Sequence, residues 1–183
     1  MYKTLSQSVR PALTILASLV LFGACADEAP LAPNQQALIP AQRPGLPASE
    51  TDKAIATLQR VTARYHDLDV AIRDTFVLLH ECETRPGEGP VGIVYVNVAR
   101  LLDGVVDPGS PDALVYEPGS PRPKLVAVEF AVPNTGQQPP EFLGATFQEE
   151  EEFGVFALHV WVWRNNPDGL FAETNPRVTC GVE

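Results

Sequence analysis

A chain of 183 residues that is 45% apolar and 20% charged is long enough for one domain with a sizeable core. It carries 13 Lys and Arg against 23 Asp and Glu, a formal net charge of −10. No basic footprint is visible, which argues against nucleic acid as a partner and against electrostatic attachment to anionic lipid.

In chain order, Lys3 and Arg10 precede the apolar stretch "PALTILASLVLFGA", which closes on Gly23 and Ala24. This is the layout of a bacterial secretion signal over residues 1–25. The run falls short of the roughly 20 apolar residues of a membrane span, and acids and prolines follow at once. Cys25 has two readings. In "LFGAC" it resembles the lipobox of bacterial lipoproteins, whose cysteine is acylated and becomes the first mature residue, although Phe22 stands where Leu is commonest. In "ACA" it lies within an ordinary cleavage site and is discarded. The expected location is accordingly outside the cytoplasm. The protein is either anchored to the membrane through Cys25, in the periplasm or on the cell surface, or soluble and secreted. Multiple acyl chains, at about 0.8 kcal/mol per buried methylene, would anchor it without a spanning helix.

Residues 26–48 read "ADEAPLAPNQQALIPAQRPGLPA", a Pro-rich extended tether. Residues 49–183 form a single domain by length. Apart from Cys25 only Cys82 and Cys180 remain, and an even count in an exported chain suggests a disulfide. Free or metal-binding thiols are the alternative, without any CxxC spacing to support them.

The domain opens with Ser49 as N-cap and Asp52 completing a weakened capping box. Ile55, Leu58, Val61, Tyr65, Leu68, Ile72 and Phe76 then recur every three or four residues, which predicts one long helix from residue 49 to about 74. "TFVLLHEC" reads as a strand, "ETRPGEGP" as a loop and "VGIVYVNV" as a strand. "DALVYE" and "KLVAVEFAV" form a hairpin around "PGSPRP", and "FGVFALHVWVW" is expected to be the longest strand. The run from Glu149 to Glu152 reads as a solvated acidic turn. No βαβ alternation appears. The predicted fold is α+β: one long N-terminal helix on a curved antiparallel sheet of four to six strands, with Cys180 stapling a turn-rich tail to the start of the sheet.

Familiar catalytic signatures are absent: no G-x-S-x-G, HExxH or Walker loop. No cofactor is expected. Alternation along the last strand puts Phe153, Val155, Ala157, His159, Trp161 and Trp163 on one face, and Phe156, Leu158, Val160 and Val162 on the other. The second face is wholly apolar and should meet the helix. On "KLVAVEFAV", Glu129 shares a face with Leu125, Ala127 and Ala131. If the two strands are neighbours, Glu129 and His159 meet beside the tryptophans, with Tyr95 and Asn97 in phase to join them. The candidate ligand-binding set is Tyr95, Glu129, His159, Trp161 and Trp163. The plainer alternative is a carboxylate and an imidazole that satisfy each other inside a sheet. No close spacing joins the three histidines, so no metal site is expected; His66, Glu129 and His159 are the residues that could supply one.

"LHVWVWRNNPDGLFAETNPRVTC", with the upstream "ARYHDLDVA", "LVYEP" and "LVAVEF", resembles a family of uncharacterised secreted bacterial proteins. The likeness runs from about Ala63 to Cys180 and carries no known activity. It implies a family disulfide between Cys82 and Cys180 and matched positions at His66, Glu129 and His159. The chain departs from the family pattern at "GIVYVNV", where Val94 and Val98 replace a His and a Pro. Three functions remain open: a binding module for a small molecule or protein partner, an acid–base or metal-assisted enzyme using Glu129 and His159, and a structural envelope protein.

Overall fold

The computed structural model describes residues 48–181. The proposed signal, Cys25 and the tether up to residue 47 lie outside the described residues.

The chain begins with α1 (Ala48–Thr62), a 3-10 turn (Ala63–His66) and α2 (Leu68–Arg73). The single long helix expected from periodicity is therefore broken. Asp67 is the reason: its backbone is extended, and its carboxylate accepts the N–H of Asp69, so it caps a new helix rather than continuing the old one. The Tyr65 carbonyl is likewise taken by the Tyr116 hydroxyl at 2.7 Å. The break shifts the apolar phase, so that Ala71 is buried and Ile72 is 51% exposed.

Six strands build the main sheet: β1 (Val77–Arg85), β2 (Gly89–Val96), β3 (Ala113–Glu117), β4 (Lys124–Pro133), β7 (Gln148–Glu150) and β8 (Val155–Val160). All neighbours are antiparallel, in the order β1-β2-β3-β4-β8-β7. A separate two-stranded ribbon, β5 (Glu141–Phe142) and β6 (Ala145–Thr146), precedes β7. The α+β class and the antiparallel sheet thus agree with the sequence. Several boundaries do not. The loop expected at "ETRPGEGP" is largely strand, and β1 turns into β2 over residues 86–88, with Gly87 at φ 82°. Asn97 and Val98 leave the sheet to start a short helix, α3 (Val98–Asp103), capped by the Asn97 side-chain amide oxygen accepting the Arg100 N–H and ended by Gly104 in the left-handed region. The acidic run contributes Glu149 and Glu150 to β7. β8 stops at Val160, which leaves β4, with ten residues, the longest strand.

The sheet curls. Its two outermost strands meet through Arg85 on β1 and Glu150 on β7, 3.2 Å apart. On the outer side Leu58, Tyr65, Ala71 and Phe76 pack onto Leu114, Tyr116, Val128, Phe130, Phe156, Leu158 and Val160. The aliphatic face of β8 meets the helical segment, as its alternation indicates. The inner side holds Val91, Val94, Val96, Val115, Ala127, Trp161 and Val178. Cys82 and Cys180 form the disulfide with Cα atoms 5.2 Å apart, tying the tail to β1. Beside it, the Thr174 hydroxyl donates to the Glu88 carbonyl and the Asn175 N–H to that of Pro90.

Candidate ligand cavity

The inner face of the curl is not filled at one end. A cavity of about 170 Å³ opens there. Val96, Ala113, Glu129, Ala131, Val155 and His159 make its floor and walls, while Leu79, Val98 and Phe153 stand at its mouth. Leu101 of α3 closes one end, and His80, Arg85 and Glu150 come from the two sheet edges. Small side chains create the space: Ala113 lies opposite Glu129 on one side, and Ala131 follows two residues later on the same face. Ala157, which alternation puts on the same face of the last strand as His159, is not part of the lining.

Glu129 and His159 are direct partners in the β4–β8 register. Their Oε2 and Nε2 atoms lie 3.5 Å apart, with both side chains almost fully buried. His159 Nε2 has no hydrogen-bond partner among the described residues. Burial drives both groups toward neutrality. It pushes the Glu129 carboxyl up to about 7, with nearby Glu150 adding to the effect. It pushes the His159 imidazole down to about 4, against the opposing pull of Glu150. The floor therefore presents a neutral acid facing a neutral imidazole over much of the range below pH 7.

Behind this pair sits Asp112, fully buried, with one carboxyl oxygen accepting the Ala131 N–H at 3.0 Å and the other without a hydrogen-bond partner. Burial pushes its carboxyl up to about 7 as well, with Asp103 and Glu129 contributing. Arg85 is in the reverse situation. Burial opposes its charge, but Glu150, Glu83 and Glu173 more than offset that and raise it. Its guanidinium donates to Glu150 and to Glu173, at 3.2 and 3.1 Å.

Of the residues singled out from sequence, Glu129 and His159 come together. Trp161 stacks on His159 with ring centroids 6.1 Å apart, but it stands outside the cavity lining and its indole N–H donates to the Ala172 carbonyl. Trp163 is not on this face. The strand ends at Val160, and the backbone N–H groups of Trp163 and Arg164 both turn to the Val126 carbonyl. Trp163 thereby reaches the outer side, where its ring meets His66 at 4.4 Å and its N–H donates to the Thr62 hydroxyl. His66 is thus across the sheet from Glu129 and His159, and the three do not assemble. Among the described residues, no group of three His, Cys, Asp or Glu could hold a metal ion.

Tyr95 also faces outward, against Tyr116 at 5.6 Å. The register pairs Tyr95 with Leu114 and Val96 with Ala113, so it is Val96 that shares the face of Glu129. Asn97 caps α3 and donates to the Asp74 carbonyl instead of joining the pair. Leu125 is likewise turned outward by the irregularity between Val115 and Tyr116, where β3 pairs with β4. Sequence reasoning missed Arg85, Glu150, Asp112, Val98 and Leu101. The Asn97 cap and Gly104 signalled α3, but nothing local signalled that β1 and β7 would meet. No protein family, curated protein or solved structure matches this chain.

Proposed function

We propose that the protein is a binding module for a small, mostly apolar molecule carrying an uncharged hydrogen-bonding group, held at the cavity floor by Glu129 and His159. The observation that carries this reading is the unpartnered Nε2 of His159, buried in an apolar cavity 3.5 Å from the Glu129 carboxyl. Unpaired buried polar atoms are costly, and a ligand hydroxyl would satisfy this one. The size is suitable: a cavity of about 150 Å³ holds benzene, and this one is about 170 Å³. Phenol is the probe. Calorimetric titration should show phenol binding more tightly than toluene, and His159→Phe should weaken phenol by about 10-fold or more while sparing toluene. Equal affinity for both probes, or none for either, would overturn the reading.

The same pair favours a second reading, proton transfer on a bound substrate. Between about pH 4 and about pH 7 the imidazole is free to accept a proton and the carboxyl to donate one. Hydrolysis of phenyl acetate should then peak inside that window and vanish in both Glu129→Gln and His159→Phe. A rate unaltered by either change would dismiss it.

We infer that the chain is exported and lipid-anchored through Cys25. The disulfide supports an oxidising compartment, and "LFGAC" supports acylation. No described helix is long and apolar enough to cross a membrane. Cys25→Ala should move the protein from the membrane fraction to the soluble one; unchanged fractionation would argue for cleavage after "ACA" or for some other attachment.

A further inference from the structure

The cavity has its polarity reversed relative to a simple apolar slot open to water. Its buried end carries Glu129 and His159, whereas its mouth carries Leu79, Val98 and Phe153, exposed by 38%, 48% and 39%. Large apolar side chains held in solvent around an opening are costly unless something covers them. Here the exposed side chains are continuous with the cavity wall through Leu101 and Val155. A ligand whose polar group reaches the floor must pass its remaining atoms between them. Leu102, four residues after Val98 on α3 and 67% exposed, prolongs the apolar path.

Charge narrows the class. The arginine on the wall is already committed to Glu83, Glu150 and Glu173, so it holds no free valence for an anionic head. Glu150, in turn, is occupied by that arginine rather than turned toward a cationic head.

We propose that the cavity takes a single-chain amphiphile head first: an uncharged hydroxyl-bearing head lies against Glu129 and His159, and its hydrocarbon tail leaves across Leu79, Val98 and Phe153. Long-chain alcohols and monoacylglycerols have this chemistry. The inference rests on the binding reading above and adds to it a length and a direction. A benzene-sized space accommodates about six carbons, so carbons beyond that number lie on the mouth.

The test uses the full chain with its disulfide intact and the straight-chain alcohols from 1-butanol to 1-decanol, titrated calorimetrically. Affinity should rise about threefold to fourfold per added methylene and should keep rising past 1-hexanol. In the triple variant Leu79→Ser, Val98→Ser, Phe153→Ser, the gain per methylene beyond six carbons should disappear. His159→Phe should weaken every alcohol in the series, because the head is the inner end. A rise that stops at 1-hexanol in the unaltered protein overturns the proposal and leaves the binding reading standing. So does a slope that the triple variant does not change, which would put the tail elsewhere. Alcohols that bind equally well to His159→Phe would reverse the direction and overturn it too. Binding of no alcohol at any length defeats both together.

Discussion

Glu129 shows how much one side chain owes to its surroundings. On a solvated strand it would be a carboxylate; between Ala113 and His159 in a curled sheet it holds its proton up to about pH 7. Unfolding returns it to an ordinary value of 4.5, and returns Asp112, also held near 7, to 3.8. Between those limits the unfolded chain binds fewer protons than the folded one, so stability falls as pH rises toward 7, by at most about 1.4 kcal/mol per unit for each group. His159 acts in the opposite sense. Its ordinary value of 6.5 drops to about 4 in the fold, so its contribution is lost as pH falls through that window. From about pH 5 to 6.5 two acids oppose one base, and the melting temperature should decline as pH rises. In Glu129→Gln, Asp112 and His159 nearly cancel and the profile should flatten. Melting curves at pH 5, 5.8 and 6.5 decide this, and parallel profiles for the two proteins would refute it.

Among the elements, α3 has the most influence on the cavity for its size. Its cap, Asn97, accepts the Arg100 N–H and donates to both the Asp74 carbonyl and the Thr75 hydroxyl. Thr75 has φ 68°, an uncommon conformation for a β-branched residue, at the turn where α2 leads into β1. One buried amide therefore joins the start of α3 to the end of α2 and helps hold Val98 and Leu101 at the cavity. Asn97→Ala should cost about 2 kcal/mol, combining a lost cap with unpaired buried groups. Urea unfolding measures it, and a loss below about 0.5 kcal/mol would show that the backbone alone holds the junction. A local feature also governs the opposite edge of the site. The register irregularity opposite Val115 and Tyr116 turns Leu125 outward, while Ala127 and Glu129 stay on the inner face. Register pairs Glu117 with Lys124 across the hairpin, yet the Glu117 carboxylate takes the Thr179 N–H and lies 3.5 Å from Arg164. The tail, not the hairpin, claims that charge.

At the scale of the whole molecule, the disulfide and the Arg85 ion pairs act together. Cys82 and Cys180 lie 98 residues apart. Closing a loop of about that length removes enough chain entropy from the unfolded state to contribute about 4 to 5 kcal/mol. Cys82→Ala with Cys180→Ala should lower the melting temperature by on the order of 10 °C; a fall of only a degree or two would mean that the tail is held by its hydrogen bonds to Glu88 and Pro90. Arg85, three residues from Cys82, joins β1 to β7 and to Glu173 of the tail. Loosening this corner should open the curl at the wall of the cavity.

Sequence alone determined what is local: the α+β class, the hairpin around "PGSPRP", the aliphatic face of β8, and the placing of Glu129 and His159 on strands that could be neighbours. Alternation and turn chemistry are carried by adjacent residues, so they can be read without knowing what packs where. Tertiary structure decided the rest. The Tyr116 hydroxyl took the Tyr65 carbonyl at the helix break, the end of β8 at Val160 sent Trp163 across the sheet, and pairing with Leu114 turned Tyr95 outward. The curl that brought Arg85 to Glu150 made a cavity from residues on six strands and a helix. Register and curvature depend on partners dozens of residues away, and a shift of one position exchanges the two faces of a strand.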